Sequence, residues 1–394
     1  MARRTGYVIL SAVVAGLLIV PAGQIGRFYL EPLTGGRAGA DDLIRDSEGP
    51  SASAAAAERP DVYFFILDAY SRDDKLREQF GFDNTPFLEA LESRGFYIAR
   101  ESRTNYLETV LSLSSTLAMT YHYTDGAFEL SGLQRVLYGA NQTVRRFRDL
   151  GYAFVYAVPN FWHGSHCTGI EDVCIDPSIN LGEYHRQLFQ LTPLGPLAMF
   201  LVPDYVNEVF NSNGDVTFET VRATLAKLPP IPRFVFGHMM FPHAPYRFES
   251  DCRYRRGAAP DVQTGYLDNL RCTNKQVLEF VDWIVADRPD AIIILQSDHG
   301  LKFGESNHAV DDDRLPVDIG WNAFDGRAGI LNAMRLPSAC RQYVRPDITA
   351  VNTFRLVFSC LDGTEPEFVA DRFFLSNYNS MKIKPYNGPG QPKP

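Results

Sequence analysis

Val62-Tyr63-Phe64-Phe65-Ile66-Leu67-Asp68 is an apolar and aromatic run closed by a carboxylate, and Ile292-Ile293-Ile294-Leu295-Gln296-Ser297-Asp298-His299-Gly300 repeats the arrangement far down the chain. A short continuous apolar run, rich in β-branched and aromatic residues, fits a strand covered on both faces, the habit of parallel sheets in α/β proteins. In such sheets ligands sit beyond the carboxyl ends of the strands. The two runs would therefore deliver Asp68, Asp298 and His299 to one sheet edge. Hard carboxylate oxygens beside an imidazole are a ligand set for a divalent cation. The expectation is an α/β metalloenzyme.

Outward from these runs, helix and strand alternate. Ser71-Arg72-Asp73-Asp74 offers polar side chains to open a helix. Segment 85–94 reads as an amphipathic helix and 95–98 as a short strand. Segment 108–119 reads as a helix with apolar residues at Val110, Leu111, Leu113 and Leu117. A helix over 144–150 and a strand over 152–158 follow, then a cysteine- and histidine-rich loop or insertion over 160–185. Further candidates are a strand over 234–238, a long helix over 264–286, and a strand over 291–296. A last strand and helix fall at 329–335 and 350–358.

The chain has 394 residues, 45% hydrophobic and 12% aromatic, enough for a sizeable core in one large catalytic domain. A net charge of −9 argues against nonspecific nucleic-acid binding, while a local cation could still draw an anionic substrate. Met-Ala-Arg3-Arg4 precedes an uncharged stretch over 6–23 in which Val20-Pro21-Ala22 resembles a small-residue cleavage site. Either a signal peptide or a single membrane anchor fits residues 1–23, with the amino terminus left in the cytoplasm. Residues 24–59, rich in Gly, Ala, Ser and charge, read as a flexible tether. The catalytic domain is expected over 60–380 and a disordered tail over 381–394, Gly-Pro-rich from Asn387.

Six cysteines, an even number, suit an oxidising compartment outside the cytoplasm. Sequence-near pairing would join Cys167 to Cys174, Cys252 to Cys272 and Cys340 to Cys360, one of about 15 connectivities that six cysteines allow. A zinc knot of His163, His166, Cys167 and Cys174 is the alternative for the first pair.

Hydroxyl side chains crowd Asn105-Tyr-Leu-Glu-Thr109-Val-Leu-Ser-Leu-Ser-Ser-Thr116, and Thr109 falls at the start of a helix. There the exposed N–H groups and the dipole favour an anion, so a metal-activated hydroxyl could attack phosphorus; equally, Thr109 could merely open the helix. His238 and His243 follow a strand at the same sheet edge and could bind a second cation or donate to oxyanion oxygens. His308, beyond Asp298-His299 in a loop, is a further metal candidate or a solvent-exposed loop residue.

Phe64-Phe-Ile-Leu-Asp-Ala-Tyr-Ser-Arg72, Glu108-Thr-Val-Leu-Ser-Leu113, His238-Met-Met-Phe-Pro-His-Ala-Pro245 and Ser297-Asp-His-Gly300, in that order, resemble the alkaline phosphatase and sulfatase superfamily. Within it the likeness is to membrane-anchored, extracytoplasmic sulfatase-like proteins related to phosphoethanolamine transferases and lipoteichoic acid synthases. The resemblance runs from about Pro60 to Ser376. It implies a doubly wound, mostly parallel α/β sheet flanked by helices, with Asp68, Thr109, Asp298 and His299 around a metal and Thr109 as nucleophile. It matches His238 and His243 to paired histidines around a phosphorylated intermediate, and His308 to a further one. Asp68 stands where the transferases have Glu. No Cys or Ser lies in the Pro-x-Arg context from which sulfatases make formylglycine.

The expected function is metal-dependent phosphoryl or phosphodiester transfer or hydrolysis on an extracytoplasmic phospho-ester or phospholipid-type substrate of the cell envelope. Zinc is favoured, with manganese or magnesium as alternatives. The competing readings are a sulfuric ester hydrolase and a noncatalytic envelope protein that binds a glycan or scaffold partner.

Overall fold

The structure is a computed structural model that describes residues 59–159, 167–176, 191–192, 194–201, 216–255, 258–302, 320–377 and 380–387. The chain divides into two units, 1–49 and 50–394, and the described residues all belong to the second. In chain order the strands are β1 (Val62–Leu67), β2 (Tyr97–Ile98), β3 (Gly126–Ala127), β4 (Ala153–Ala157), β5 (Val173–Ile175), β6 (Arg233–Met239), β7 (Ile292–Gln296), β8 (Asn332–Arg335), β9 (Phe374–Asn377) and β10 (Lys382–Pro385). The helices are α1 (Asp73–Phe80), α2 (Thr85–Ser93), α3 (Thr109–Ala118), α4 (Leu130–Leu137), α5 (Gln142–Asp149), α6 (Leu194–Leu201), α7 (Phe218–Leu225), α8 (Val262–Asp287), α9 (Trp321–Ala328) and α10 (Thr353–Asp362).

Seven strands form one sheet in the order β2-β8-β7-β1-β6-β4-β5. β1 pairs in parallel with both β6 and β7, and within this sheet only β8 runs against the rest. Every residue of β1, β6 and β7 is buried, which is why their sequences lack polar alternation. The pleat then divides β1 between two cores. Tyr63, Phe65 and Leu67 pack with residues of α2, α7 and α8 on one face; Val62, Phe64 and Ile66 pack with residues of α3, α5 and α10 on the other. Helices thus cover both faces, and the sheet is mixed, as in alkaline phosphatase-like folds.

Aromatic rings run across the second face: Phe64 stacks on Phe236 at 5.5 Å and meets Phe354 edge-on at 4.9 Å, while Phe147 stacks on Phe234 at 4.2 Å. Such pairs add about 0.5–1.5 kcal/mol each beyond area burial. A second sheet, β3-β10-β9, lies against the start of α3, where Tyr106 stacks on Phe374 at 4.8 Å.

The sulfur pairs are Cys167–Cys174, Cys252–Cys272 and Cys340–Cys360, with Cα separations of 6.0, 4.9 and 5.5 Å. With Cys167 and Cys174 bonded to each other, no thiolate is left for the zinc knot, and His163 and His166 lie outside the described residues. Two other expectations are corrected. Ser71 does not cap α1, because its hydroxyl accepts the Leu301 N–H at 2.8 Å instead. The stretch read as a tail, 381–394, opens with β10, whose Ile383 is buried between exposed or half-buried neighbours. Four residues carrying two lysines and a proline are too few to display a period. The leader 1–23 and the tether up to Glu58 lie outside the described residues. No helix among the described residues is long and apolar enough to cross a membrane.

Gly237 in β6 lets the Phe65 ring of the neighbouring strand lie over the backbone: an added Cβ would meet Phe65 Cε1 at 2.5 Å. Gly237→Ala is expected to destabilise the fold by about 1–3 kcal/mol through overpacking. Urea denaturation measures it, and an unchanged midpoint would contradict this packing.

Candidate metal centre

β7, β1 and β6 are adjacent, so their carboxyl ends converge by construction. Asp68 follows β1, Asp298 and His299 follow β7, and His238 lies in β6 opposite Ile66. The chain leaves β1 through Ala69, whose φ of +59° is uncommon for a residue with a Cβ. The β7 exit holds that turn: Asp298 Oδ1 accepts the Ala69 N–H at 3.2 Å and Ser297 Oγ accepts the Tyr70 N–H at 2.8 Å. The two strand exits therefore build each other.

Asp298 Oδ1 also accepts the N–H of His299 at 3.0 Å. That leaves Oδ2, buried and without a hydrogen-bond partner, 3.2 Å from His299 Nε2. Asp68 is arranged alike: Oδ2 accepts from His238 Nε2 at 3.0 Å, while Oδ1 has no hydrogen-bond partner and lies 3.8 Å from His299 Nε2. Ligand atoms of Asp68, Asp298 and His299 fall within 4.8 Å of one another, all buried. Orphaned carboxylate oxygens facing a ring nitrogen in a dry site fit a divalent cation by chemistry as well as by spacing.

The tautomer of His299 follows from its neighbours. Nδ1 lies 3.1 Å from the Gly300 carbonyl, which can only accept, so Nδ1 carries the proton and Nε2 the lone pair. Burial first, and then the Arg327 charge, push the His299 pKa down to about 4 against the pull of Asp298 and Asp68. The ring is thus neutral near neutral pH. For Asp68, burial acts upward, but His243, His238 and His299 outweigh it and hold the carboxyl below the ordinary carboxylate range. For His238, burial acts downward and is outweighed by Asp68, so its pKa is raised.

Thr109 is the first residue of α3, 4% exposed, with Oγ1 3.1 Å from His299 Nε2. Its geometry permits the hydroxyl to donate to that lone pair. Glu108, the residue at the helix cap, provides no side-chain cap. His243 is half-buried; its N–H donates to the Asp68 carbonyl at 3.1 Å, Nδ1 donates to the Ala244 carbonyl, and its ring centroid is 6.3 Å from that of His299. His238 faces Asp68, where it orients a carboxylate. Asp68, Thr109, Asp298, His299, His238 and His243 are thereby brought together; His308 lies outside the described residues.

Sequence reasoning missed Arg327 and Ser297. Ser297 Oγ donates to the His299 carbonyl at 2.7 Å while accepting from Tyr70. Arg327, in α9, donates through Nη1 to the Gly300 carbonyl at 3.0 Å and through Nε to the Leu107 carbonyl at 3.2 Å. Ser297 stands in the quoted Ser-Asp-His-Gly motif but the pattern gives it no role of its own; an arginine in a short helix carries no signal of burial.

Among families of known proteins, the model described as Sulfatase matches residues 60–315. No curated protein sequence matches. Solved structures that the chain resembles include the C-terminal periplasmic domain of EcEptC from Escherichia coli in complex with Zn, at 14% identity, covering 85% of this chain and 95% of that one, TM-score 0.49. The integral membrane protein lipooligosaccharide phosphoethanolamine transferase A from Neisseria meningitidis is 13% identical over 90% of this chain and 67% of its own, TM-score 0.45. Phosphonate monoester hydrolase of Agrobacterium radiobacter is 14% identical over 80% of each chain, TM-score 0.45.

Asp298→Asn keeps the size of the side chain but replaces one carboxylate with an amide. It is expected to weaken divalent-metal affinity by about 100-fold or more, beyond the 10–100-fold typical of residues that only support a ligand. Elemental analysis after dialysis, with chelator competition, measures it; wild-type metal content in the variant would contradict the assigned donor set.

Proposed function

The chain belongs to the Sulfatase family and is an enzyme of the metal-dependent alkaline phosphatase superfamily, and on that premise we propose that it transfers or hydrolyses a phosphoryl or phosphodiester group through Thr109. The observation that carries this reading is the buried Thr109 hydroxyl at the first position of α3, 3.1 Å from His299 Nε2, the atom that itself lies 3.2 Å from Asp298 Oδ2 and 3.8 Å from Asp68 Oδ1.

Asp68, Asp298 and His299 would hold a divalent cation; the donor set suits zinc, manganese or magnesium, and the extra histidines and the oxidising compartment favour zinc. Such an ion supplies Lewis acidity that neutralises phosphate charge and makes an adjacent hydroxyl more acidic. The remaining work belongs to the chain. Thr109 Oγ1 attacks phosphorus in line; the Oγ1–P bond forms as the bond to the leaving oxygen breaks, the hydroxyl proton passes to that departing oxygen, and a phosphothreonine results. Water or an alcohol acceptor then takes the phosphoryl group from Oγ1, and the threonine regains its proton. The N–H groups opening α3 favour the anionic group, His243 faces the same space, and His238 keeps Asp68 in register.

A threonine where formylglycine chemistry needs Cys or Ser in a Pro-x-Arg context supports phosphorus rather than sulfate-ester chemistry. Three disulfides support an extracytoplasmic location. The uncharged stretch over 6–23 supports export or a membrane anchor, and hence an envelope phospho-ester or phospholipid substrate.

Thr109→Ala is expected to retain a divalent metal on Asp68, Asp298 and His299 and to lose turnover of a chromogenic phosphodiester by about a thousandfold or more, as loss of a nucleophile does. Intact-mass spectrometry after incubation with envelope lipids should show an adduct on the wild-type Thr109 peptide and none on the variant. Undiminished turnover by the variant refutes the threonine mechanism.

A further inference from the structure

We infer that Arg327 is a positioning residue: it ties the segment carrying Thr109 to the loop carrying His299, fixing hydroxyl and imidazole in one frame. The inference deepens the function proposed above and rests on its placing of the chemistry at Thr109 and His299.

Arg327 is 5% exposed and clasps the Gly300 residue from both sides. The Gly300 N–H donates to the Arg327 carbonyl at 2.6 Å, and the Gly300 carbonyl accepts from Arg327 Nη1 at 3.0 Å. That carbonyl is also the acceptor for His299 Nδ1, so the guanidinium fixes the oxygen that fixes the ring. Its Nε reaches the carbonyl of Leu107, two residues before Thr109. One side chain thereby touches both halves of the site.

The approach is close enough to demand a glycine: a Cβ on Gly300 would lie 3.0 Å from the carbonyls of Gly326 and Gly329 and 3.1 Å from that of Arg327. The helix behind Arg327 is itself anchored. Asp325, also in α9, receives Arg72 at 3.0 Å, Lys75 at 3.0 Å and Arg103 at 2.6 Å. Asp325 is thus held by three other cations, and the hydrogen bonds of Arg327 go to main-chain carbonyls. A buried guanidinium near a cation site opposes that cation electrostatically. Its presence there is explained by the geometry it imposes, since outer partners that orient a ligating histidine tune metal affinity and activity.

Arg327→Met removes the donors and keeps the stem; Arg327→Lys keeps a charge and can reach one carbonyl but not both. Phe324→Leu, on the same helix and stacked on Tyr386, serves as a control that loosens α9 while leaving the guanidinium and its two carbonyl acceptors in place. Zinc affinity by chelator competition, kcat and KM on the chromogenic phosphodiester, and Tm are measured for each. Arg327→Met is expected to weaken zinc binding and lower kcat by about 10–100-fold with KM within about twofold, and Arg327→Lys to fall between it and wild type. Phe324→Leu should lower Tm while leaving zinc affinity and kcat within about twofold. If Arg327→Met does not fold, Arg327→Lys carries the test on the same measures. Wild-type zinc affinity and kcat in the folded arginine variants, or losses that Phe324→Leu reproduces at equal Tm, overturn the inference. Zinc binding needs no substrate, so a wild type that binds zinc without turnover, beside an arginine variant with weakened zinc binding, refutes the phosphoryl-transfer reading and supports the positioning role.

Discussion

Two carboxylates, Asp68 and Asp298, are carried into one dry space by neighbouring parallel strands, each with one oxygen satisfied by the protein and one left bare. Bare buried carboxylate oxygens are costly, and costlier when they face each other. The histidines around Asp68 offset part of that cost and a divalent cation would offset more. The strand exits, the strained Ala69 turn and the Ser297 hydroxyl all serve to hold this pair still. Strain of this kind persists only where surrounding contacts over-determine it, and here the partner is the neighbouring strand's loop rather than solvent. Loss of either exit would release the other.

Much of this was legible in the sequence because the constraint is written in composition. A strand buried on both faces must be continuously apolar, so β1 and β7 announced themselves together with the acidic residues that end them. The long helix α8 showed its period plainly, and the sulfur pairs fell between cysteines near in sequence. What stayed hidden depends on contacts between distant segments. β9 pairs with β10, β10 also pairs with the distant β3, and none of the three has room for a pattern. Ser71 looked like a helix cap until Leu301 claimed its hydroxyl. His238 reads from sequence as a ligand of a second cation or a donor to oxyanion oxygens; that its Nε2 also meets the Asp68 carboxylate follows from its place within β6, level with Ile66, which no local pattern displays. Arg327 and Asp325 are three-dimensional facts: charged residues in a short helix read as solvated, and only the packing of α9 against Gly300 and α1 buries them.

The placement of Thr109 joins the two levels. All ten residues of α3 are buried, and its residues pack into two cores, one under the main sheet and one under the small sheet. The helix therefore cannot slide to follow a substrate. On the proposed reading, a hydroxyl fixed in this way would act by pre-organisation rather than by closure, its barrier lowered by geometry already in place.

Charge then decides what the site can admit. On the proposed reading, two carboxylates and one divalent ion would sum to zero, so beyond direct ligation the centre would add no long-range attraction for an anionic phosphate, and the chain as a whole, at −9, would repel it. On that reading, the attraction must come from groups that are polar locally: the opening N–H groups of α3 and the imidazole of His243, whose ring centroid is 6.3 Å from that of His299. His299, neutral with its pKa near 4, adds none. In a site this dry, charges close to the phosphate outweigh a diffuse negative surface, because distant charges are screened within about 10 Å while buried ones are not. If the proposed reading holds, a centre of zero net charge with the helix N–H dipoles aimed at it gains most when negative charge gathers on the oxygens around phosphorus, which is where phosphoryl transfer places it.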